Sequence, residues 1–332
     1  MTLETDLTVA VTGPTGTFGF GLMPLLQMDG RVTRVVGVAR REFDPGEHGW
    51  TKMDYRRGDV RDADALRRAF DGADVVVHLA FLVVGGRERR AINVEGTLNA
   101  FRAAADAGAR RFVYASSVAA YGFHADNPVG MTEDWPVRPA DRLSYAREKA
   151  EVEQLLRAEA EARPELDLYV LRPCIVLGPH TLGAKQFLPE PLAALAREVQ
   201  GRLATLPVPV PAPVPDVPVQ LVHESDVGRA LVDCVVGAGP PGPYNIAADD
   251  PLSAVDIARE LGIHPIAVPG WPVQAAARGL AQMPLLPAVA EWVEVASHPS
   301  VMDTTRAKTE LDWTPRYTAL EALREALGSE GT

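Results

Sequence analysis

The chain has 332 residues, of which 47% are hydrophobic, and its formal net charge is -11 at pH 7. This length and composition can support one large core with an additional lobe. The acidic balance argues against nucleic acid as a partner, because no basic face could displace counterions. The sequence has no apolar run long enough to predict a membrane span and no basic leader typical of secretion signals. With Cys174 and Cys234 as its only cysteines, it predicts a reducing, cytoplasmic location without disulfides.

Short runs rich in β-branched residues alternate with helical patterns through the first half of the chain. The runs predicted as strands cover residues 7–13, 32–40, 73–80, 110–117 and 166–173. Between them, residues 62–72 and 93–108 have helical patterns that stop at Gly72 and Gly108. This alternation predicts βαβ units and therefore an α/β fold with a parallel sheet.

A glycine-rich loop joins the first strand to an apolar helical run, in the sequence VTGPTGTFGFGLMPLL at residues 11–26. Gly13, Gly16 and Gly19 have the spacing G-x-x-G-x-x-G. In such a loop one glycine makes the turn, one admits a pyrophosphate to the backbone, and one lets helix and strand pack closely. The free N–H groups of the helix N-terminus then hold the phosphate. The alternative is a plain strand-to-helix corner, which glycines also serve.

Four later segments complete a pattern that begins at this loop. They are SSVAAYG (116–122), TEDWPVRPADRLSYAREK (132–149), LRPCIVLGP (171–179) and VQLVHESDV (219–227). In this order they resemble the extended short-chain dehydrogenase/reductases, the NAD-dependent epimerase/dehydratase family. The resemblance runs from about Val9 to the segment 302–327, nearly the whole chain. It implies a doubly wound, Rossmann-like parallel sheet and a smaller, discontinuous C-terminal lobe for the substrate.

The C-terminal half has a weaker pattern. The proline-rich residues 206–219 are predicted as extended surface chain, and residues 219–236 behind them as a strand followed by a helix. The proline-rich segment is therefore interpreted as an insertion within one folded unit. The expected domains are a dinucleotide-binding domain at 1–173, to which 219–248 add, and a substrate-binding lobe at 174–218 and 249–330.

Two candidate catalytic residues share one helical face. Tyr145 and Lys149 lie four positions apart, so their side chains project one turn apart. An ammonium group favours a nearby phenolate, and Lys149 is therefore expected to lower the pKa of Tyr145. The alternative is a tyrosine packed on a lysine stem in an ordinary amphipathic helix. The resemblance favours catalysis, and it implies that Ser117 hydrogen-bonds the substrate oxygen, with Ser116 as the competing candidate.

The resemblance implies hydride transfer at a nicotinamide, with Tyr145 as general acid/base and Lys149 also holding the nicotinamide ribose. No metal site is predicted, because the seven histidines show no metal-ligand spacing. The remaining residues that the resemblance assigns to the cofactor are Gly13, Thr15, Gly16, Thr17, Phe18 and Gly19 in the loop, Asp59 and Val60 beside the adenine, Leu79 and Ala80 at a strand end, Asn93, and Pro173 beside the nicotinamide.

The choice of nicotinamide cofactor depends on the end of the second strand. An NAD site usually places a carboxylate there, whereas this chain has Ala39 followed by Arg40 and Arg41. Two guanidinium groups suit the 2'-phosphate of NADP, which they can bind in bidentate fashion. The alternative is a solvated pair of loop arginines. The sequence therefore predicts NADP(H), with NAD(H) as the second possibility.

Departures from the family pattern narrow the reaction. Sugar-nucleotide dehydratases have an Asp-Glu pair after the catalytic hydroxyl residue, where this chain has Val118 and Ala119. Epimerases commonly have an arginine four residues before the histidine of the VH strand, where this chain has Val219. Residues 290–300 contain no lysine or arginine. These positions predict a small, uncharged and rather apolar substrate.

Three functions are therefore considered. The first, which the sequence favours, is an NADP-dependent carbonyl reductase or alcohol dehydrogenase. The second is an epimerase of a sugar or sugar nucleotide that oxidises its substrate transiently at a tightly bound NAD(P). The third is a non-catalytic cofactor-sensing protein, which is expected to lack the tyrosine or the lysine, and this chain has both.

The resemblance also implies a homodimer through the helices at residues 93–107 and 145–160. An apolar stripe on this pair could form the interface, but it could equally pack against the sheet. The stripe consists of Leu98, Phe101 and Ala105 on the first helix, and Val152, Leu155 and Leu156 on the second.

Overall fold

The computed structural model describes residues 5–83, 88–139, 143–181, 212–269 and 299–328. Strands and helices alternate along the first half of these residues. The strands are β1 (Leu7–Thr12), β2 (Val32–Ala39), β3 (Met53–Arg57), β4 (Val75–His78), β5 (Arg111–Ala115), β6 (Asp167–Pro173), β7 (Ile175–Leu177), β8 (Ala212–Pro215), β9 (Pro218–Val219), β10 (Leu221–His223), β11 (Gly242–Ile246), β12 (Leu252–Ser253) and β13 (Pro265–Val268). The α-helices are α1 (Thr17–Met28), α2 (Ala63–Phe70), α3 (Gly96–Asp106), α4 (Ser144–Ala162), α5 (Glu224–Val235), α6 (Ala254–Glu260), α7 (Thr305–Glu310) and α8 (Ala319–Gly328).

A seven-stranded parallel sheet forms the centre of the fold, in the order β11-β6-β5-β4-β1-β2-β3. From β1 at the centre, β2 and β3 follow in order on one side of the sheet. Strands β4, β5, β6 and β11 follow in order on the other side. The strand order therefore reverses between β1 and β4. In open α/β sheets, ligands bind in the crevice at the carboxyl ends of the strands beside such a reversal. The predicted doubly wound, Rossmann-like fold is confirmed.

Helices cover both faces of the sheet because each inner strand is apolar on both sides. On β1, Val9 and Val11 belong to one hydrophobic cluster, and Ala10 belongs to the other. The first cluster includes Leu22 of α1 and Leu231 of α5, and the second includes residues of α2, α3 and α4. The site residues that follow the strands are therefore held by a sheet packed on both faces.

The C-terminal part adds to this sheet and also forms smaller ones. Strand β11 lies at the sheet edge beside β6, and α5 packs on α1. Smaller two-stranded sheets pair β10 with β7, β12 with β9, and β13 with β8. A separate hydrophobic cluster joins α8 to Leu177 of β7 and Leu221 of β10. Within the predicted substrate lobe, residues 182–211 and 270–298 lie outside the described residues.

Three elements differ from the sequence prediction or add to it. Strand β3, MDYRR, was not predicted, because three of its five residues are charged and it lies at the edge of the sheet. The predicted helix at 93–108 begins within a π-helical turn, Ala91–Glu95, that continues into α3. In the proline-rich segment, residues 206–211 lie outside the described part, and β8 is extended chain paired with β13.

Candidate active site

The glycine loop follows β1 at the reversal of strand order, and two of its glycines are required by packing. Gly13 has φ +71°, and a Cβ there would lie 2.9 Å from the backbone nitrogen of Ala80. A Cβ on Gly19 would lie 2.1 Å from the carbonyl oxygen of Pro14. A Cβ on Gly16, in contrast, would meet only the carbonyl oxygen of Gly13, at an ordinary 3.6 Å. The packing of this chain therefore does not explain why residue 16 is a glycine.

The start of α1 fits the pyrophosphate that such a loop is expected to hold. Gly16 occupies the N-cap of α1, so no side chain caps the helix, and its first turn has no acidic residue. The N–H groups of this turn and the positive end of the helix dipole are thus available to an anion. The absence of a side chain at Gly16 leaves the backbone at the helix N-terminus open to such an anion. The loop fits a dinucleotide.

The strand ends beside the loop bring further predicted residues together. The Thr12 hydroxyl lies 2.8 Å from Nδ1 of His78, and Nε2 of His78 lies 3.0 Å from the Thr97 hydroxyl. Burial lowers the pKa of His78 to about 3, so the ring is neutral and structural. Leu79 and Ala80 follow directly and pass next to Gly13.

Two other predicted cofactor residues have partners within the chain. The Asn93 side chain accepts a hydrogen bond from the backbone of Leu82 at 2.8 Å and donates to Leu82 and Glu148 at 2.9 and 2.6 Å. It therefore fixes the segment after β4 to α4. Asp59 binds Arg61 at 2.7 Å, and the Arg61 guanidinium holds its pKa below the usual range.

The remaining predicted cofactor residues lie along the same edge of the sheet or close to it. Val60 is buried against Gly96, where a Cβ would lie 2.4 Å from a Val60 methyl group. Pro173 ends β6 opposite Ile246 of β11. Arg40 and Arg41 follow β2 with exposed side chains. Thr15, Thr17 and Phe18 are partly exposed around the start of α1.

The two adjacent serines after β5 face different partners. The Ser117 side chain caps the short 3-10 helix Val118–Tyr121, accepting from the Ala119 nitrogen at 3.2 Å, and it lies close enough to Tyr145 to lower the pKa of that phenol. Ser116 instead donates to Glu153 of α4 at 2.5 Å. The structure therefore brings Ser117, and not Ser116, to the phenol of Tyr145.

Lys149 lies one helical turn beyond Tyr145, but its ammonium group is directed at β5. It donates to the carbonyl oxygen of Ala115 at 2.6 Å and to the Tyr114 hydroxyl at 3.3 Å, and it lies 5.9 Å from the centre of the Tyr145 ring. Burial lowers the pKa of Lys149 to about 7, and the carboxylates of Glu153 and Glu148 oppose this shift.

The expected effect of Lys149 on Tyr145 is corrected by this geometry. Burial raises the pKa of Tyr145, and the hydrogen bond from Ser117 opposes the rise. The hydrogen bonds of Lys149 go to β5 and not to the phenol. At neutral pH the phenol is therefore protonated and suited to donate a proton.

A buried polar network behind Lys149 was missed by the sequence analysis. Glu153 accepts from Arg172 at 2.6 Å, both side chains are almost fully buried, and Arg172 also donates to the Tyr121 hydroxyl at 2.7 Å. Ser116 joins the network through Glu153. The spacing of four between Lys149 and Glu153 on one helix was the available signal, whereas nothing in the sequence linked Glu153 to Arg172.

A family model described as the NAD dependent epimerase/dehydratase family matches residues 9–247. The chain belongs to this family. The resemblance inferred from the ordered motifs is confirmed, and the matched range contains the glycine loop, both serines, and the pair Tyr145 and Lys149. The family description names NAD as its cofactor, in agreement with the fit of the loop to a dinucleotide.

Similar proteins and similar structures have names that describe different activities, or none. An uncharacterized protein of Mycobacterium tuberculosis is 28% identical over 337 residues, which cover 97% of this chain and 84% of that protein. Sterol demethylase protein B of Methylococcus capsulatus is 32% identical over 179 residues, 52% of each chain. The structure of UDP-glucose 4-epimerase from Thermotoga maritima with UDP-glucose has a TM-score of 0.71 at 20% identity and covers 98% of both chains. At this identity the likeness shows the fold alone.

The described ranges contain neither a membrane-crossing helix nor a metal-binding cluster. In these ranges, no helix has the length and apolar composition that a bilayer crossing requires. Nor do the described histidine, cysteine and carboxylate side chains form a group of three that could hold a metal ion. Cys174 and Cys234 are free and buried, and burial raises the pKa of both thiols.

The buried ion pair of Glu153 and Arg172 generates a stability prediction. Replacing Glu153 by Gln or Arg172 by Met should lower the free energy of unfolding by about 3–5 kcal/mol, because the remaining charge stays buried without its partner. The control is Arg102→Met, which breaks a more exposed ion pair between Arg102 of α3 and Glu159 of α4. This substitution should cost about 0–1 kcal/mol. Urea denaturation measures each change, and equal losses for the buried and surface pairs would contradict the assigned role.

Proposed function

We propose that this protein is an NADP(H)-dependent oxidoreductase that transfers hydride between the nicotinamide and the carbonyl or alcohol carbon of an uncharged, rather apolar small molecule. The observation that carries this proposal is the placement of Tyr145 and buried Lys149 one turn apart on α4, with the Lys149 ammonium group on the end of β5 and Ser117 just after that strand. Because β1, β4 and β5 are parallel neighbours, their carboxyl ends share the sheet edge at which Gly13 begins the loop. A dinucleotide held at α1 can thus extend toward the phenol.

The bound cofactor supplies or accepts the hydride, and side chains of this protein handle the proton. Tyr145 donates its phenolic proton to the carbonyl oxygen during reduction, or takes it from the alcohol in the reverse direction. Ser117 holds the same oxygen through its hydroxyl group. The raised pKa of Tyr145 keeps its proton in place at neutral pH, so the phenol can donate that proton when a carbonyl is reduced.

An apolar substrate is supported by the residues around the catalytic serine. Val118 and Ala119 are buried directly after Ser117, so no carboxylate is available there for the elimination of water. Val219, at the position where an arginine would bind a diphosphate, is partly buried in β9. The relative named sterol demethylase protein B adds support for a bulky apolar compound. Residues 290–298, which lack basic side chains, lie outside the described residues.

The preference for NADP(H) is supported by the loop after β2. Arg40 and Arg41 are exposed there, and Ala39 ends the strand where an NAD site would have an acid. Their backbone carbonyls accept hydrogen bonds from Arg57 and Tyr55 of β3, at 3.1 and 2.5 Å, which fixes the loop. Among the described residues, the salt bridges of this region involve other arginines, so both guanidinium groups remain available to a 2'-phosphate.

The homodimer also belongs to this proposal, although part of the apolar stripe is used within one chain. Phe101, Val152 and Leu156 are fully buried in the cluster between helices and sheet. Ala105 and Leu155 are partly buried and pack against the same cluster, and Leu98 is partly buried. The exposed parts of these three side chains are what the stripe offers to an interface.

The cofactor preference is tested by removing each arginine. Arg40→Ala and Arg41→Ala should raise the KM for NADPH about tenfold or more while leaving the KM for NADH nearly unchanged, because a charge-assisted hydrogen bond contributes ~1.5–3 kcal/mol. The matched control is Arg34→Ala, which removes an exposed arginine from β2, the strand that precedes Arg40 and Arg41. Initial rates with both cofactors provide the comparison. A preference for NADH in the unmodified enzyme, or one that survives in Arg40→Ala, rules out this assignment.

The reaction itself is tested with NADPH and a panel of ketones that includes ketosteroids and short aliphatic ketones, followed at 340 nm. On the best substrate, Tyr145→Phe should lower kcat by about 10²–10⁴, because it deletes the proton donor and keeps the ring. Ser117→Ala should also lower kcat, and both variants should bind NADPH normally. Ser116→Ala is the control for Ser117 and should be the milder change.

Two outcomes would contradict the proposed reaction. One is near-native turnover in Tyr145→Phe. The other is conversion of UDP-glucose to its epimer by the unmodified protein without a steady change in absorbance at 340 nm, since an epimerase returns the hydride to its substrate.

A further inference from the structure

Phe81 contacts both members of the proposed catalytic pair. It follows Ala80 in the segment after β4, and the centre of its ring lies 3.6 Å from Nζ of Lys149. The same ring lies 5.6 Å from the Tyr145 ring, with an interplanar angle of 89°. The face of the ring thus meets the ammonium group while the two aromatic rings meet edge to face. Both arrangements are attractive, because an aromatic face is negative and its edge positive.

The ammonium group of Lys149 has three hydrogens to donate. The Ala115 carbonyl oxygen receives one at 2.6 Å, and the Tyr114 hydroxyl receives another at 3.3 Å. The ring of Phe81 faces the same nitrogen at 3.6 Å and takes the place of a third acceptor. Of these three partners, the first two belong to buried β5 and only Phe81 is partly exposed. A ribose hydroxyl that binds Lys149 therefore has Phe81 as its most accessible competitor.

We propose that Phe81 is a positioning residue for Lys149 and Tyr145, and that its ring is the partner of the ammonium group that a cofactor ribose replaces. This proposal rests on the proposed function for the roles of Lys149 and Tyr145. The sequence HLAFL showed no sign of it, because Phe81 reads there as one more apolar residue after a strand.

A substitution of Phe81 changes the ring without changing any charge near Lys149. Phe81→Leu keeps an apolar side chain in place, so water stays excluded, but it has no aromatic face to stabilise the charged form. The pKa of Lys149 should therefore fall when the ring is replaced. The titratable groups that face Lys149 and stay constant in this comparison are His78 on β4, Tyr114 on β5, and Tyr145, Glu148 and Glu153 on α4.

The experiment uses the four lysines of the chain, Lys52, Lys149, Lys185 and Lys308. Lysine labelled with carbon-13 at Cε gives few NMR signals, and Lys149→Met identifies the signal of residue 149. In the unmodified protein this signal should be displaced by the ring current of Phe81. In Phe81→Leu the displacement should disappear and the pKa of Lys149 should be about one unit lower. Phe43→Leu, an aromatic substitution in another cluster, should change neither quantity.

Adding NADPH tests the second half of the proposal. In the unmodified protein, saturation with NADPH should remove the ring-current displacement of the Lys149 signal. A Lys149 signal and pKa unchanged by Phe81→Leu would overturn the positioning role, and a displacement that persists at saturation would overturn the replacement of the ring. Failure of NADPH to bind at all would refute the proposed function, whereas the comparison without cofactor would still decide the contact between Phe81 and Lys149.

Discussion

The buried ammonium group of Lys149 is the constraint on which the candidate site depends. A charged amine out of water is unfavourable unless polar groups surround it. Here the Ala115 carbonyl and the Tyr114 hydroxyl accept from it, and the carboxylates of Glu148 and Glu153 stabilise its charge. A site built this way holds the lysine in one place and keeps its pKa, about 7, close to neutrality.

Each carboxylate that supports Lys149 also ties another element to the site. Glu148 binds Asn93, whose side chain holds the backbone of Leu82 in the segment after β4. Glu153 binds Arg172 of β6 and Ser116 of the loop after β5. Three neighbouring strands of the sheet are thereby connected to one helix behind the lysine. The position of Ser117 beside Tyr145 follows, because Ser116 is held on the opposite side of the chain.

How far the sequence could predict this arrangement depends on whether the signal is local. The spacing of Tyr145 and Lys149 correctly predicted a shared helix, and the alternation of strands and helices correctly predicted a parallel sheet, whose doubly wound order was implied by the family resemblance. The same spacing could not show that the ammonium group binds β5, which requires the packing of α4 on the sheet. Glu153 and Arg172 meet only because α4 lies beside β6, so their contact has no local pattern.

The charged strand β3 and the aromatic contact of Phe81 were missed for related reasons. Strand β3 reads as polar because it lies at the edge of the sheet, where hydrophobic alternation is weakest. Phe81 reads as an ordinary apolar residue, and its role depends on an ammonium group 68 positions later in the chain. Chemistry that arises between distant segments is visible only once the fold brings them together.

Gly16→Ala tests the central claim, that the loop after β1 holds a dinucleotide for the residues around Lys149, most directly. The added methyl group meets no protein atom closer than 3.6 Å, and residue 16 has φ -96°, which alanine tolerates. The account therefore predicts a urea midpoint close to that of the unmodified protein, together with at least about a tenfold loss of NADPH affinity by fluorescence titration, because the methyl group would crowd the pyrophosphate. Unchanged affinity in a fully folded Gly16→Ala variant would contradict it.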